Sequence, residues 1–319
     1  MRSLIFRLVL SIGLIVLLLA GMRAHWSDIL VLMKGVTLRT VLLAFCLYSA
    51  VFLFMSLRLR CLFRCQLIPM SVPDSLRLTA IGLFFNNFLP TGAGGDVVKA
   101  YVAGRQTNQN FRSILCILMD RVIGLATLVF MGSLSIFFLN RHSWNVPPLV
   151  VKINYLLLSI AALAITILMV PSLYQIVTQW LGNVPIKHFK IYLGKLISGI
   201  EEFRNQKANL IKAMTLSVMA QIAFTSLVYL FSHEMGTNIS FKIFLLTLPL
   251  VHMSAMIPSL NGLGVREGAF VYLFGNVLGR EKAFVVALSS TTIMVVWSLI
   301  GGLIYWLWVL KRGGLQHDR

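Results

Sequence analysis

Six strongly apolar stretches, at 4–22, 38–57, 114–139, 149–170, 210–232 and 284–310, divide the chain almost from end to end. As helices each spans the hydrocarbon layer of a bilayer, about 30 Å, at about 1.5 Å per residue. Lipid offers no hydrogen bonds, so a chain of this kind must satisfy its backbone internally, and helices do so within one segment. The composition agrees: 58% of residues are hydrophobic, only 12% are charged, and mean hydropathy is +0.86. A soluble domain carries about twice that share of charge. The expected fold is therefore all-α, a polytopic membrane bundle with about six full spans.

The net charge of +18 belongs to the short loops between those spans. Basic residues flank membrane helices mainly on the cytoplasmic side. There is no basic domain, which argues against nucleic acid as a partner, whereas anionic headgroups attract such loops by about 1 kcal/mol per basic residue. Arg2 and Arg7 place the N-terminus in the cytoplasm. MRSLIFR followed by LVLSIGLIVLLLA has the look of a signal peptide, but its apolar part is long, and it reads as a retained first span. Residues 23–37 then form an outer amphipathic connector. The second span returns to Arg58, Arg60 and Arg64, read as a cytoplasmic cluster, and the connector at 174–206 reads as amphipathic along the same surface. Lys311 and Arg312 put the C-terminus there too, with Arg280-Glu281-Lys282 read as an outer loop.

Two shorter apolar pieces resist this scheme. "NNFLPTGAGGDVVKAY" (86–101) and "IPSLNGLGVREGA" (257–269) each break an apolar run with proline and glycine, and charge follows at once. Pro90 and Pro258 stop a half-helix, while Gly92, Gly94 and Gly95, and Gly262 and Gly264, let the backbone reverse close to a ligand. Gly92 and Gly262 are 170 residues apart (262 − 92), and each break lies between two full spans. Paired interruptions of this kind, one per half, mark the central site of many transporters. The expected organisation is a single membrane domain over 1–319. Its first half, 1–140, holds a re-entrant hairpin at 76–110. A linker span and connector occupy 141–206, and the second half, 207–319, holds a re-entrant hairpin at 241–279 that enters from the opposite face. A plainer reading gives the glycines only a packing role between helices.

Charge deep in such a structure must be partnered. Asp96 and Lys99 are spaced i, i+3 and can pair on one helix face. Asp120-Arg121 and Arg266-Glu267 are helical neighbours that point about 100° apart, so each is expected to find partners elsewhere. The expected network joins Asp96, Lys99, Asp120, Arg121, Arg266 and Glu267 across both hairpins; the alternative puts Asp120 and Arg121 at headgroup level. Asn86, Asn87 and Asn261 flank the breaks and bond either freed backbone or a headgroup. Half-helix N-termini near Asp96 and Arg266 would suit an anion, most naturally a lipid phosphate. These residues form the expected substrate-binding set. His252 reads as packed or bonded to backbone.

Enzyme signatures are weak. GAGGDVVK lacks the Gly-Lys-Ser/Thr ending of a phosphate loop, and no Gly-x-Ser-x-Gly or His-Glu-x-x-His occurs. Cys46, Cys61, Cys65 and Cys116 make no disulfide framework, and no second pair completes a zinc site. The expectation is no catalytic residue, no metal and no cofactor.

"FFNNFLPTGAGGDVVKAYVAGR", the later "MDRVIGL" and "IPSLNGLGVREGAFVYLFG" resemble the lysylphosphatidylglycerol synthase transmembrane region, a flippase-like (UPF0104) family. The resemblance covers nearly the whole chain. It implies a bacterial or archaeal integral membrane protein with re-entrant helices, related to regions thought to flip an aminoacylated phospholipid. The chain ends at Arg319, shortly after its last span, so the resemblance implies lipid movement without the aminoacyl-transferase domain. SLNGLG also replaces the family's shorter proline–glycine run. The expected function is a lipid translocase of the cytoplasmic (inner) membrane, acting on an amphiphile with an anionic headgroup. The alternatives are a membrane glycosyl- or phospho-transferase on a lipid-linked substrate, or a small-solute transporter. Expected partners are membrane lipids, a second copy of the chain or a lipid-synthesis enzyme.

Overall fold

The computed structural model describes residues 26–89, 94–139, 148–169, 187–254 and 262–316, and all regular structure in them is α-helical. The elements are α1 (Trp26–Lys34), α2 (Leu38–Cys65), α3 (Val72–Phe88), α4 (Gly94–Thr107), α5 (Asn110–Leu139), α6 (Pro148–Met169), α7 (Lys187–Asn205), α8 (Lys207–Glu234), α9 (Phe241–Ser254), α10 (Val265–Leu278) and α11 (Arg280–Gln316). Among the described residues α2, α5, α8 and α11 are long and apolar enough to cross a membrane. The apolar run at 149–170 falls on the 22-residue α6. The run at 4–22 lies outside the described residues.

Local chemistry sets the boundaries. Thr37 caps α2 by accepting from the Thr40 N–H at 3.3 Å. Ser71 caps α3 in the same way through the Asp74 N–H at 3.1 Å, with Pro73 in the first turn. Gly279, at φ +85°, is the single residue between α10 and α11. A side chain there would be strained, and glycine lets the chain turn at once. Arg280-Glu281-Lys282 is therefore the first turn of α11 rather than a loop. The connector at 23–37 likewise contains a helix, α1. Of the surface connector, 187–205 is helical and 174–186 lies outside the described residues.

The order long helix, two short helices, long helix occurs twice. Each helix of the second set begins 169 to 171 residues after its counterpart (Leu38 and Lys207, Val72 and Phe241, Gly94 and Val265, Asn110 and Arg280). The counterparts α2 and α8 pack along each other antiparallel. Thr37 at the start of α2 meets Glu234 at the end of α8, and Arg58 near the end of α2 meets Ser217 near the start of α8.

The short helices form two antiparallel pairs. In α3–α4, Gly95 lies against Gly82 and Asn86, and Lys99 runs over Gly82. In α9–α10, the Phe244 and Phe274 rings stack 4.8 Å apart. With 17, 14, 14 and 14 residues, these four helices are about 21–26 Å long, shorter than the hydrocarbon layer. Each pair leans on the same two long helices: α4 and α9 pack on α5, and α3 and α10 pack on α11. The pairs thus flank a common centre, which α2 and α8 close.

Apolar packing holds that arrangement. Phe45 and Phe52 of α2 stack on Trp297 of α11 at 5.1 and 5.0 Å. The largest core cluster runs through α2, α8, α9, α10 and α11 around Phe231, Phe244 and Phe274. A second gathers Leu59, Leu62 and Phe63 with Leu78, Ile81 and Cys116 under the first short pair. Gly301 of α11 meets the Ala80 carbonyl so closely that a Cβ could not fit, which brings α3 and α11 into backbone contact.

Candidate functional site

The centre is a cavity of about 310 Å³ lined by α2, α3, α4, α5, α8, α9, α10 and α11. Its apolar wall includes Val51, Phe52, Leu83, Leu128 and Phe224, and its polar groups arrive from both short pairs.

The first pair supplies Lys99 and Asp96. Asn86 accepts the Gly95 N–H at 3.0 Å and so caps α4 across the break. Gly82 leaves room for the Lys99 stem: a Cβ there would lie 2.5 Å from its Cδ. Lys99 Nζ stands 3.1 Å from Asp96 Oδ1 and 3.7 Å from Asp120 Oδ2. Asp96 also pairs with Arg121. Asp120 faces inward, where Arg58 Nε donates to its Oδ1 at 2.7 Å and Arg58 Nη1 donates to Ser217 Oγ at 3.0 Å. Buried charges need this density of partners, since removing them from water costs several kcal/mol each.

The second pair supplies Arg266 and Glu267. Gly262 and Gly264 take positive φ, +79° and +81°, and turn the chain into α10. Glu267 Oε2 accepts the Gly264 N–H at 2.7 Å. Its Oε1 accepts from Arg266 Nη2 at 3.0 Å and from the Thr291 hydroxyl. Arg266 also donates to Thr291 Oγ1 at 2.9 Å. Nearby, His252 Nδ1 and the Gln221 side-chain amide lie within hydrogen-bond distance, 3.0 Å.

Three expectations change. The six charges do not form one network. They fall into two groups, Arg58–Asp120–Lys99–Asp96–Arg121 and Arg266–Glu267–Thr291, which face each other across the cavity with no ion pair between them among the described residues. Arg266 and Glu267 do pair with each other, because Glu267 curls back to cap its helix and the long Arg266 side chain follows it to Thr291. Asp120 is buried and partnered by Arg58 and Lys99, as the network reading requires. The helix-terminus idea also narrows, since the Gly95 and Gly264 N–H groups already have acceptors in Asn86 and Glu267. Arg58, Lys99, Arg121 and Arg266 line the cavity together with the carboxylate of Asp120. Pro90, Gly92, Pro258 and Asn261 lie outside the described residues. Gly94 opens α4 and is buried, and Asn87 occupies the last turn of α3.

Sequence reasoning missed Arg58, Ser217, Gln221 and Thr291. Arg58 was grouped with its basic neighbours, yet Tyr48, Val51, Met55 and Arg58 fall on one helical stripe, and all four line the cavity.

Counting both groups, four cations (Arg58, Lys99, Arg121, Arg266) meet three carboxylates (Asp96, Asp120, Glu267) among the described residues, an excess of one positive charge. Arg121 is the least covered: 46% of its side chain is exposed, against 12% for its partner Asp96. Leu118, Val122 and Leu125 surround it on α5 and are exposed, and Leu125 also lines the cavity. The cavity thus comes to the apolar outer surface beside a cation.

Fold and site together define an integral membrane protein, a polytopic helical bundle around a charged cavity. The chain belongs to the lysylphosphatidylglycerol synthase TM region family, whose model matches residues 4–302. No curated protein matches it.

Proposed function

We propose that the chain is a lipid translocase that passes an amphiphile with an anionic headgroup between leaflets, with no chemical step of its own. The observation that carries the reading is the cavity shared by the two short-helix pairs, with its one excess positive charge and its opening to the apolar surface at Arg121. A phosphate entering sideways exchanges water for Arg121 and then for Lys99 or Arg266, while its acyl chains stay in lipid. Such charge-assisted contacts are worth most where water is excluded. Family membership supports a lipid-related role, since the family takes its name from a lipid synthase.

In this reading α3–α4 and α9–α10 are re-entrant hairpins dipping from opposite faces. The antiparallel course of α2 and α8 supports an inverted repeat. Both termini then lie on the cytoplasmic side of the cell membrane, and the halves 1–140 and 207–319 rock about the cavity.

Proteoliposomes carrying lipid with a fluorescent headgroup and treated with membrane-impermeant dithionite test this. An active translocase raises the quenched fraction from about one half toward completeness for anionic lipid. A quenched fraction equal to that of protein-free vesicles for every labelled lipid would refute it.

A further inference from the structure

A second cavity, of about 380 Å³, lies between α2 and α8 on faces turned away from the central one. Leu57, Arg60, Cys61 and Arg64 share one stripe of α2, while Arg58 points to the centre from another. Ile211, Lys212, Thr215 and Leu216 face them from α8, where Ser217 and Gln221 serve the central cavity.

Its chemistry is lopsided. Three cations line it, Arg60, Arg64 and Lys212, and no carboxylate does. None of the three is paired with a carboxylate among the described residues. Arg60 is held in place, its Nε donating to the Met70 carbonyl at 2.9 Å. Arg60 and Arg64 are spaced i, i+4, where like charges repel. The other half is apolar: Leu57, Ile211 and Leu216, with Ile211 63% exposed. The groove therefore sets a cluster of cations directly beside an apolar face.

We infer that this groove holds a resident anionic glycerophospholipid, separate from the transported one. Its phosphodiester sits among Arg60, Arg64 and Lys212, and an acyl chain lies along Leu57, Ile211 and Leu216. A free phosphate would match the cations but leave the apolar half uncovered. A basic pocket between membrane helices is a recurrent headgroup site. The lipid bridges α2 and α8, counterparts in the two halves, and so tunes how those halves meet.

The test uses the full chain, delipidated in neutral detergent and examined by native mass spectrometry with phosphatidylglycerol and phosphatidylcholine added in turn. Phosphatidylglycerol adducts should exceed phosphatidylcholine adducts by about tenfold or more, the equivalent of one to two favourable charge contacts. The native chain should carry two preferential phosphatidylglycerol adducts, one per site, and Arg64→Ala with Lys212→Ala should remove one of them while the adduct that depends on Arg121 stays. The exchange Arg64→Lys with Lys212→Arg should keep both, and Arg121→Ala should weaken only the other one. An unchanged number of preferential adducts in the double alanine variant overturns the inference. So does loss of both in Arg121→Ala, which places the lipid in the transport cavity, or complete competition by inorganic phosphate, which shows a site for the anion alone.

Discussion

Arg58 on α2 and Asp120 on α5 are 62 residues apart in sequence, and the guanidinium Nε donates to the carboxylate Oδ1 across 2.7 Å with both side chains nearly fully buried. This pair ties the helix that closes the cavity to the helix on which both short pairs lean. Removing one member leaves the other charged and enclosed, at a cost of about 3–5 kcal/mol. Asp120→Asn should therefore lower the thermal unfolding midpoint in detergent sharply. The double variant Arg58→Met/Asp120→Leu should unfold at a higher temperature than either single one, because it leaves no orphaned charge. A double variant as damaged as the worse single would argue that packing, not pairing, dominates there.

Arg121 should behave in the opposite way. Its side chain is partly exposed, so Arg121→Ala should change stability by less than about 1 kcal/mol. Transfer of anionic lipid should fall about tenfold or more, equivalent to roughly 1.4 kcal/mol of lost interaction. Arg121→Lys, which keeps the charge but not the fork, should be intermediate. Dithionite quenching beside a melting curve separates the two effects.

The first short pair has no room at its crossing. A Cβ on Gly95 would overlap the Gly82 carbonyl and the Asn86 side chain. Gly95→Ala should destabilise by about 2 kcal/mol or more and displace Asn86 from its capping position. Gly194→Ala on α7 is the control: nothing lies within 4 Å of the added methyl. That change should raise stability by up to about 1 kcal/mol through helix propensity.

Glu267 has two tasks that substitution separates. Glu267→Gln keeps an acceptor for the Gly264 N–H and for Thr291 but loses the charge facing Arg266. Glu267→Ala loses both. The alanine variant should be less stable than the glutamine variant by about 1 kcal/mol, the typical worth of a helix cap. Equal unfolding midpoints would show that the Gly264 contact is dispensable.

The long helices were plain in the sequence because a membrane span is a one-dimensional signal, set by apolar length alone. The runs at 38–57, 114–139, 210–232 and 284–310 each fall within an observed helix, and each helix extends further into polar sequence. Those extensions explain why Arg280-Glu281-Lys282 is helical where a loop was expected. One glycine suffices for the turn from α10 into α11, and charged residues form good first turns. The doubled pattern was also legible, since proline, glycine and charge recur at a fixed offset. What was hidden is partner choice. Arg58 looks like Arg60 and Arg64 in a charge count, yet a turn of 100° per residue sends it to another face. The pairing of Arg266 with Glu267 was concealed for the reverse reason: Cβ directions diverge, but a long side chain and a back-curled carboxylate reconverge on Thr291. Side-chain reach is not periodic.

The central claim is that an anionic headgroup occupies the cavity beneath Arg121. The direct measurement is photocrosslinking in proteoliposomes with a phosphatidylglycerol analogue that carries a diazirine on its headgroup, mapped by peptide mass spectrometry. The account requires labelling of the peptides holding Leu128, Gln221 and Met294, which line the cavity, and its loss in Arg121→Ala. Equal labelling by a zwitterionic analogue, or labelling confined to helix ends in the native protein, would contradict it.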